Sequence, residues 1–180
     1  MNYGWARGAM ALAVVAVLAG SLAACDRAPT APDETAAQNL RAAEFFLTSN
    51  ARVEGVRTLP SGVQYKVLRS GPPGGERPDR NDLVRVDYEG TLTDGTVFDS
   101  SYQAGQPAVF TVSDVVPGWT EVLQQMRVGD EWVVYLPPAL GYGEQGRPGI
   151  PPNAVMVFRL KLLDIARAPG GERGGAIAQG

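Results

Sequence analysis

The sequence has no histidine and only one cysteine among its 180 residues. Without histidine it lacks the commonest general base and the commonest metal ligand, and a single cysteine can form neither an internal disulfide nor a zinc cluster. Its net charge of −3 and its scattered arginines give no basic patch for a nucleic acid. We therefore expect no metal site, no cofactor and no nucleic-acid partner. The 22 glycines and 14 prolines indicate many turns and short strands instead of a helical bundle.

The first 25 residues have the pattern of a targeting segment. Arg7 precedes an apolar run, residues 9–22, which is too short to span a membrane comfortably as a permanent helix. The run ends in Leu-Ala-Ala-Cys25, which resembles the bacterial lipobox, where the cysteine thiol receives a diacylglyceryl group. An ordinary secretory signal with a leftover thiol is the alternative, but only the lipobox explains why the sole cysteine lies here.

We accordingly expect residues 1–24 to be a lipoprotein signal peptide and Cys25 to carry the lipid. Two or three acyl chains together hold a protein stably at a membrane, whereas one chain does not. The expected location is the bacterial cell envelope, with the protein lipid-anchored and facing the periplasm. The choice between inner and outer membrane stays open.

Three further segments flank a region of alternating pattern. Residues 25–34 contain two prolines among small and charged residues and are typical of a tether. Residues 35–61 begin with Thr-Ala-Ala-Gln, the form of a capping box, and predict a short helix to about Thr48 followed by a lead-in. One face of this helix carries Leu40, Ala43 and Leu47. Residues 166–180 have few large apolar groups, and we expect them to be disordered.

From residue 62 onward, apolar residues recur at every second position. This alternation predicts strands with one buried face at residues 84–88, 132–136 and 156–162, and Asp-Gly at residues 94–95 supplies a hairpin turn. A helical spacing is shared by Trp119, Val122, Leu123 and Met126. Short strands and one central helix indicate an α+β fold in which an antiparallel sheet curls over that helix.

Several motifs follow one another in order between residues 82 and 165. They include Val84-Arg-Val-Asp-Tyr-Glu-Gly, Val97-Phe-Asp-Ser-Ser, Val115-Val-Pro-Gly-Trp-Thr-Glu and Leu140-Gly-Tyr-Gly-x-x-Gly-x-Pro-Gly-Ile-Pro-Pro-Asn. Together they resemble the FKBP family of peptidyl-prolyl isomerases over almost a whole domain, which we place at residues 62–165. The lead-in around Tyr65 looks like that of the bacterial macrophage infectivity potentiator branch, which is exported to the cell envelope.

This resemblance implies a five- to six-stranded antiparallel sheet wrapped around one short helix, preceded by a short N-terminal helix. It also implies a cup of apolar side chains with Trp119 as its floor. The Tyr142 hydroxyl and the Ile150 amide would hold carbonyl groups of a bound peptide, and Asp99 would lie near the carbonyl of the rotating bond. The catalytic set implied is Tyr88, Phe98, Asp99, Trp119, Tyr142 and Phe158, and the substrate-binding set is Phe110, Val115, Val116 and Ile150.

Two departures from the family pattern concern this cup. Ala108 stands where a second wall aromatic is common, so that side should be wider. No basic residue occurs at residues 102–106 to pair with Asp99, so its carboxylate must find another donor, such as a tyrosine hydroxyl. Without the family, Trp119 and the phenylalanines could simply be core residues, and Asp99 could be an ordinary hairpin residue.

A cup with one carboxylate and no nucleophile suits the rotation of an X–Pro peptide bond, which breaks no covalent bond. We expect a peptidyl-prolyl cis-trans isomerase that acts on exported or unfolded proteins without an acid, a base or a nucleophile. Two alternatives stay open: a holdase-type chaperone or proline-peptide binding module with little turnover, and an envelope interaction protein with a degenerate cup. Proline-containing polypeptides are the expected partners, macrolide inhibitors are implied by the cup, and the short helical arm predicts a monomer.

Overall fold

The computed structural model describes residues 31–168, with side chains from Glu34 onward. The predicted signal peptide, Cys25 and residues 169–180 lie outside the described residues. The elements in chain order are helix α1 (Ala31–Asn50), strands β1 (Val56–Thr58), β2 (Gln64–Arg69), β3 (Leu83–Thr91) and β4 (Val97–Ser100), helix α2 (Ser101–Ala104), strand β5 (Ala108–Thr111), helix α3 (Pro117–Leu123), and strands β6 (Glu131–Leu136) and β7 (Met156–Ala166). Within residues 31–168, no helix has the length and apolar character needed to cross a membrane.

All the strands belong to one antiparallel sheet with the order β1-β2-β6-β7-β3-β4, and β5 also pairs with β3. β4 and β5 share one edge of β3, since residues 89–91 pair with β4 and residues 83–86 pair with β5. At the gap between them, the Ser101 hydroxyl accepts from the Tyr88 amide at 2.9 Å and donates to the Tyr88 carbonyl at 3.3 Å. The predicted α+β class is confirmed, and the three-residue β1 brings the sheet to seven strands.

The hydrophobic core lies between α3 and the sheet face that the alternating pattern predicted. Its fully buried members include Val122, Leu123 and Met126 from the helix and the turn after it, together with alternate residues of β3, β6 and β7. Gly118 allows a close approach, because a Cβ at this position would lie 2.5 Å from the Leu136 side chain. Each fully buried side chain of this size contributes about 1.5–3 kcal/mol, so this packing fixes α3 against the sheet.

Helix α1 is longer than predicted. It begins at Ala31 instead of residue 35 and ends at Asn50 instead of residue 48, so the last four residues of the predicted tether, 31–34, are helical. Residues 35–38 therefore lie within the helix and not at its start, which corrects the predicted position of the capping box.

One face of α1 packs on its own domain. Ala43 is buried and Leu47 is half-buried, as the predicted face requires, but Leu40 is 40% exposed and lies outside that face. Polar contacts complete the packing: Asn50 Nδ2 donates to Gln64 Oε1 at 2.8 Å, and Gln64 Nε2 donates to the Leu47 carbonyl at 2.8 Å. The sequence pattern missed this contribution because it counted only apolar positions.

Candidate active site

A cavity of about 450 Å³ opens beside α3 and is lined from β3, β4, β5, β7 and the segment between β6 and β7. Nine of the ten residues that the resemblance implied line this cavity: Tyr88, Phe98, Asp99, Phe110, Val115, Val116, Trp119, Tyr142 and Phe158. Ile150 does not line it, whereas Asp114 and Arg147, which the sequence analysis missed, do. The sheet and α3 thus bring together side chains up to 70 positions apart in the chain.

The base of the cavity is built around Trp119, which is only 4% exposed. Three rings meet its indole nearly at right angles: Tyr88 at 5.1 Å between centroids, Phe110 at 5.8 Å and Phe158 at 5.1 Å. Phe98 meets Phe158 in the same way at 5.5 Å. Edge-to-face pairs of this kind each add about 0.5–1.5 kcal/mol beyond area burial, so the indole is held from three sides.

The wall beside Phe98 and Phe158 depends on a glycine. A Cβ at Gly90 would lie 2.7 Å from atoms of both rings, so a side chain there would require both rings to move. Gly90 is the β3 residue that pairs with Asp99 on one side and with Phe158 on the other. The absence of a side chain there is what lets these two rings close the wall.

Asp99 receives its hydrogen bond from a tyrosine of the same cavity. The Tyr88 hydroxyl donates to Asp99 Oδ2 at 2.8 Å. Burial, and then the hydrogen bond and negative charge of Asp99, raise the pKa of the Tyr88 hydroxyl well above its ordinary value. Tyr88 therefore stays protonated as a donor. Because residues 102–106 contain no basic residue to pair with Asp99, its carboxylate needs another donor, and the Tyr88 hydroxyl is that donor.

The segment between β6 and β7 contributes a second tyrosine through the Tyr142 loop, which we define as residues 141–155. Arg147 Nη1 donates to the Tyr142 hydroxyl oxygen at 2.6 Å, and the guanidinium carbon lies 4.9 Å from the ring centroid. Because the hydroxyl accepts from Arg147, its own proton remains available for a ligand. A basic residue inside the glycine-rich motif was the available signal for Arg147, but that position was treated as variable.

Ile150 does not take the position that the resemblance implied. Its side chain is 4% exposed and belongs to the core, and its amide donates to the Arg147 carbonyl at 2.8 Å. The Arg147 amide donates back to the Ile150 carbonyl at 2.9 Å. This tight turn engages the Ile150 amide within the loop, so that amide already has an acceptor in the structure.

The cavity has few charged groups. Its lining includes two carboxylates, Asp99 and Asp114, and one guanidinium, Arg147. Across residues 31–168, no cluster of three histidine, cysteine or acidic side chains is placed to hold a metal ion. The cavity therefore offers a mainly aromatic surface, with the Tyr88–Asp99 pair in its wall and the Tyr142 hydroxyl beside Arg147 at the loop.

An antiparallel sheet curled over one short helix, with an aromatic cavity and a Tyr–Asp pair in its wall, defines an α+β protein with an apolar binding cup. Comparison with known families specifies it further. Residues 74–163 match the family described as FKBP-type peptidyl-prolyl cis-trans isomerase, and residues 14–67 match the domain amino-terminal to such isomerases. The chain belongs to the FKBP-type peptidyl-prolyl cis-trans isomerase family.

Individual relatives agree with this assignment. The peptidyl-prolyl cis-trans isomerase Mip of Coxiella burnetii is 49% identical over 130 residues, which are 72% of this chain and 56% of that protein. Outer membrane protein MIP of Legionella longbeachae is 44% identical over 137 residues, 76% of this chain and 58% of that protein. The crystal structure of FkpA from Escherichia coli superimposes with a TM-score of 0.73 at 41% identity, covering 77% of this chain and 64% of that chain. The chain thus spans a little more than half the length of these curated relatives.

Proposed function

We propose that the chain catalyses cis-trans rotation of X–Pro peptide bonds in exported or unfolded polypeptides. The observation that carries this proposal is the buried Trp119 indole at the base of the cavity, held by Tyr88, Phe110 and Phe158. The apolar proline ring can pack on the apolar face of an indole. Family membership, and relatives that are named isomerases, support the same activity.

The proposed mechanism is differential solvation of the rotating amide. Resonance holds the C–N bond planar with a barrier of about 18–20 kcal/mol. At a right angle the amide loses this resonance and its dipole shrinks, so removal from water costs the planar form more than the twisted form. An apolar cavity therefore lowers the barrier by binding the transition state better than the ground state. No residue acts as an acid, a base or a nucleophile.

Polar groups at the cavity have an orienting role. The Tyr142 hydroxyl, which accepts from Arg147, donates its proton to a carbonyl of the bound peptide. Asp99, held by the Tyr88 hydroxyl at 2.8 Å, lies in the wall near the carbonyl that rotates.

Macrolide inhibitors, as ligands with a proline-like ring, would occupy the same cavity.

NMR exchange spectroscopy on Leu-Pro and Phe-Pro peptides tests the proposed activity. Uncatalysed cis-trans exchange takes tens to hundreds of seconds, so catalytic amounts of the chain must shorten it clearly. The experiment also separates the main alternative. If the peptides bind to the cavity while their exchange stays at the uncatalysed rate, the chain is a holdase or a proline-peptide binding module and the isomerase proposal fails.

Arg147→Met should reduce catalysis moderately by releasing the Tyr142 hydroxyl. Methionine keeps an unbranched stem but provides no donor and no charge. A net hydrogen bond is worth about 0.5–1.5 kcal/mol, which corresponds to a loss of about twofold to tenfold in the catalysed exchange rate. Arg85→Met is the matched control, because Arg85 pairs with Asp164 on the exposed face of the sheet at 3.6 Å and is not part of the cavity lining. Equal losses in both variants would contradict the role of Arg147.

We also propose that the protein is a lipid-anchored envelope protein, with residues 1–24 as signal peptide and Cys25 as the acylated residue. The name of the Legionella relative, an outer membrane protein, supports a membrane location for that relative.

We propose a monomer because the buried face of α1 packs on its own domain. We propose residues 62–165 as the isomerase domain.

Cys25→Ser should abolish lipid attachment. When the chain is expressed in bacteria grown with radiolabelled palmitate, the wild type should incorporate label and the variant should not, because serine has no thiol to accept the diacylglyceryl group. Immunoprecipitation from equal amounts of cells provides the measurement. An unlabelled wild type would remove the lipoprotein proposal, and so would a variant that keeps its label.

A further inference from the structure

We propose that α1 positions the Tyr142 loop for catalysis, and that Asn153 is the positioning residue that connects them. The inference rests on the proposed isomerase function, because it concerns how the same cavity is kept in its active geometry. It assigns a role to a helix that contributes no residue to the cavity lining.

Two side-chain amides connect α1 to the end of the Tyr142 loop. Asn39 Nδ2 donates to the Pro152 carbonyl at 2.8 Å, and Asn153 Nδ2 donates to the Ala36 carbonyl at 3.0 Å. Each element thus supplies one donor and one backbone acceptor. The partners are 113 and 117 residues apart in the chain, so this contact is purely tertiary.

The backbone of Asn153 carries the contact onward to the cavity. Its amide donates to the Gly143 carbonyl at 2.8 Å, and Gly143 directly follows Tyr142. Asn153 is 5% exposed and has φ of 55°, the only positive φ of a non-glycine residue within residues 31–168. Asparagine is one of the few residues that tolerate this region, and such a conformation persists where surrounding contacts enforce it. Asn153 therefore contacts α1 with its side chain and the Tyr142 segment with its backbone.

A cavity of about 210 Å³ lies between the helix and the loop, and its lining includes Asn39, Ala42, Ala43, Pro151, Asn153, Ala154 and Val155. Two hydrogen bonds, one donated by Asn39 and one by Asn153, cross this junction beside the cavity. Their removal should loosen the loop without emptying the main core.

The other end of α1 is fixed to the sheet independently. Asn50 donates to Gln64, Gln64 donates to the Leu47 carbonyl, and the Phe46 ring lies 6.0 Å from the Tyr135 ring. These contacts involve β2 and β6 and none of the Tyr142 loop. The helix therefore remains attached when the Asn39 and Asn153 contacts are removed. Asn50 also provides a matched control: it has the same side chain, lies on the same helix and makes an amide hydrogen bond away from the loop, in a more buried position than that of Asn39.

The test measures catalysed exchange of a Leu-Pro peptide by full chains carrying Asn39→Ala, Asn153→Asp or Asn50→Ala. Asn153→Asp keeps the size of the side chain, its tolerance of positive φ and the backbone bond to Gly143, but loses the donor to Ala36. We expect Asn39→Ala and Asn153→Asp each to lower the catalysed rate about threefold to tenfold, below the roughly 100-fold loss that a misplacement of 1 Å can cause. Asn50→Ala should lower the unfolding midpoint at least as much and leave the rate within about twofold of the wild type.

A double-variant comparison distinguishes positioning from simple destabilisation. If Asn39 acts through Tyr142, Asn39→Ala should lose its effect on the rate when Tyr142 is already phenylalanine, because coupled residues are not additive. An unchanged threefold to tenfold loss in the Tyr142→Phe background overturns the inference, and so does a loss of rate in Asn50→Ala that equals the loss in Asn39→Ala. A wild type without catalysed exchange would instead refute the isomerase function itself. An active wild type with fully active Asn39→Ala and Asn153→Asp variants would refute only the positioning role.

Discussion

Trp119→Leu should reduce the catalysed exchange rate of an X–Pro peptide at least about tenfold, a loss of about 1.4 kcal/mol of transition-state stabilisation. Leucine fills much less of the cavity base than indole. Tyr88, Phe110 and Phe158 would each lose the ring that they now meet edge to face. The flat apolar surface that favours the twisted amide would be lost with it. The measurement is NMR exchange at a temperature at which the variant is fully folded.

Trp132→Leu provides a closely matched control for this prediction. Trp132 is 6% exposed, against 4% for Trp119, and neither indole Nε1 has a hydrogen-bond partner within residues 31–168. Trp132 stacks on Tyr65 at 4.4 Å and is absent from the cavity lining. Both variants should lose about 2–4 kcal/mol of unfolding free energy through the space left behind. Only Trp119→Leu should lose catalysis, and a similar loss in Trp132→Leu would show that the rate follows stability and not the cavity.

Asp82→Asn should lower the free energy of unfolding by about 2–4 kcal/mol at pH 7. Asp82 is completely buried at the start of β3. Its Oδ2 accepts from the Asp79 amide at 2.8 Å and from Arg167 Nη1 at 2.5 Å, and its Oδ1 accepts from the Ala168 amide at 3.1 Å. The carboxylate thus fixes the chain after β7 to the beginning of β3. Asparagine has one acceptor oxygen for these three donors, and chemical denaturation would measure the loss.

The effect of Asp82 should depend on pH with a definite sign. Burial opposes the charged form, but the hydrogen bonds from Asp79, Ala168 and Arg167, with the Arg167 charge, outweigh it and hold the pKa of Asp82 below its ordinary value. Its stabilising contribution is therefore complete above the unfolded-state pKa of about 3.9. The contribution is lost as the pH falls through the lower folded-state pKa. The stability difference between wild type and Asp82→Asn should narrow as the pH is lowered from about 5 to about 2.

Asp164→Asn is the control for this second prediction. Asp164 also pairs with an arginine, Arg85, but at 3.6 Å and with more than half of each side chain exposed. Exposed pairs of this kind contribute about 0–1 kcal/mol, so Asp164→Asn should unfold almost like the wild type at every pH. A loss in Asp164→Asn as large as that in Asp82→Asn would indicate a general charge effect and not the buried network.

Local patterns predicted those features that depend on which face of an element is buried. The two-residue period at residues 84–88, 132–136 and 156–162 corresponds to β3, β6 and β7, and the helical spacing at Trp119 corresponds to α3 and the turn after it. Burial imposes such periods directly on the sequence. For α1 the same reasoning was right for Ala43 and Leu47 but wrong for Leu40, and it missed the hydrogen bonds that Asn39 and Asn50 add to the packing.

The sequence by itself determined the α+β class through its local period, and the resemblance of its motifs to a known family implied nine of the residues that line the cavity. Only the tertiary structure decided how polar groups pair across the chain. In the structure, Arg147 donates to the Tyr142 hydroxyl oxygen, and the Ile150 amide donates to the Arg147 carbonyl within the same loop. The Asn153 side chain donates to the Ala36 carbonyl of α1. These contacts leave no hydrophobic period in the sequence, since each depends on the distance and direction between one donor and one acceptor in the folded chain.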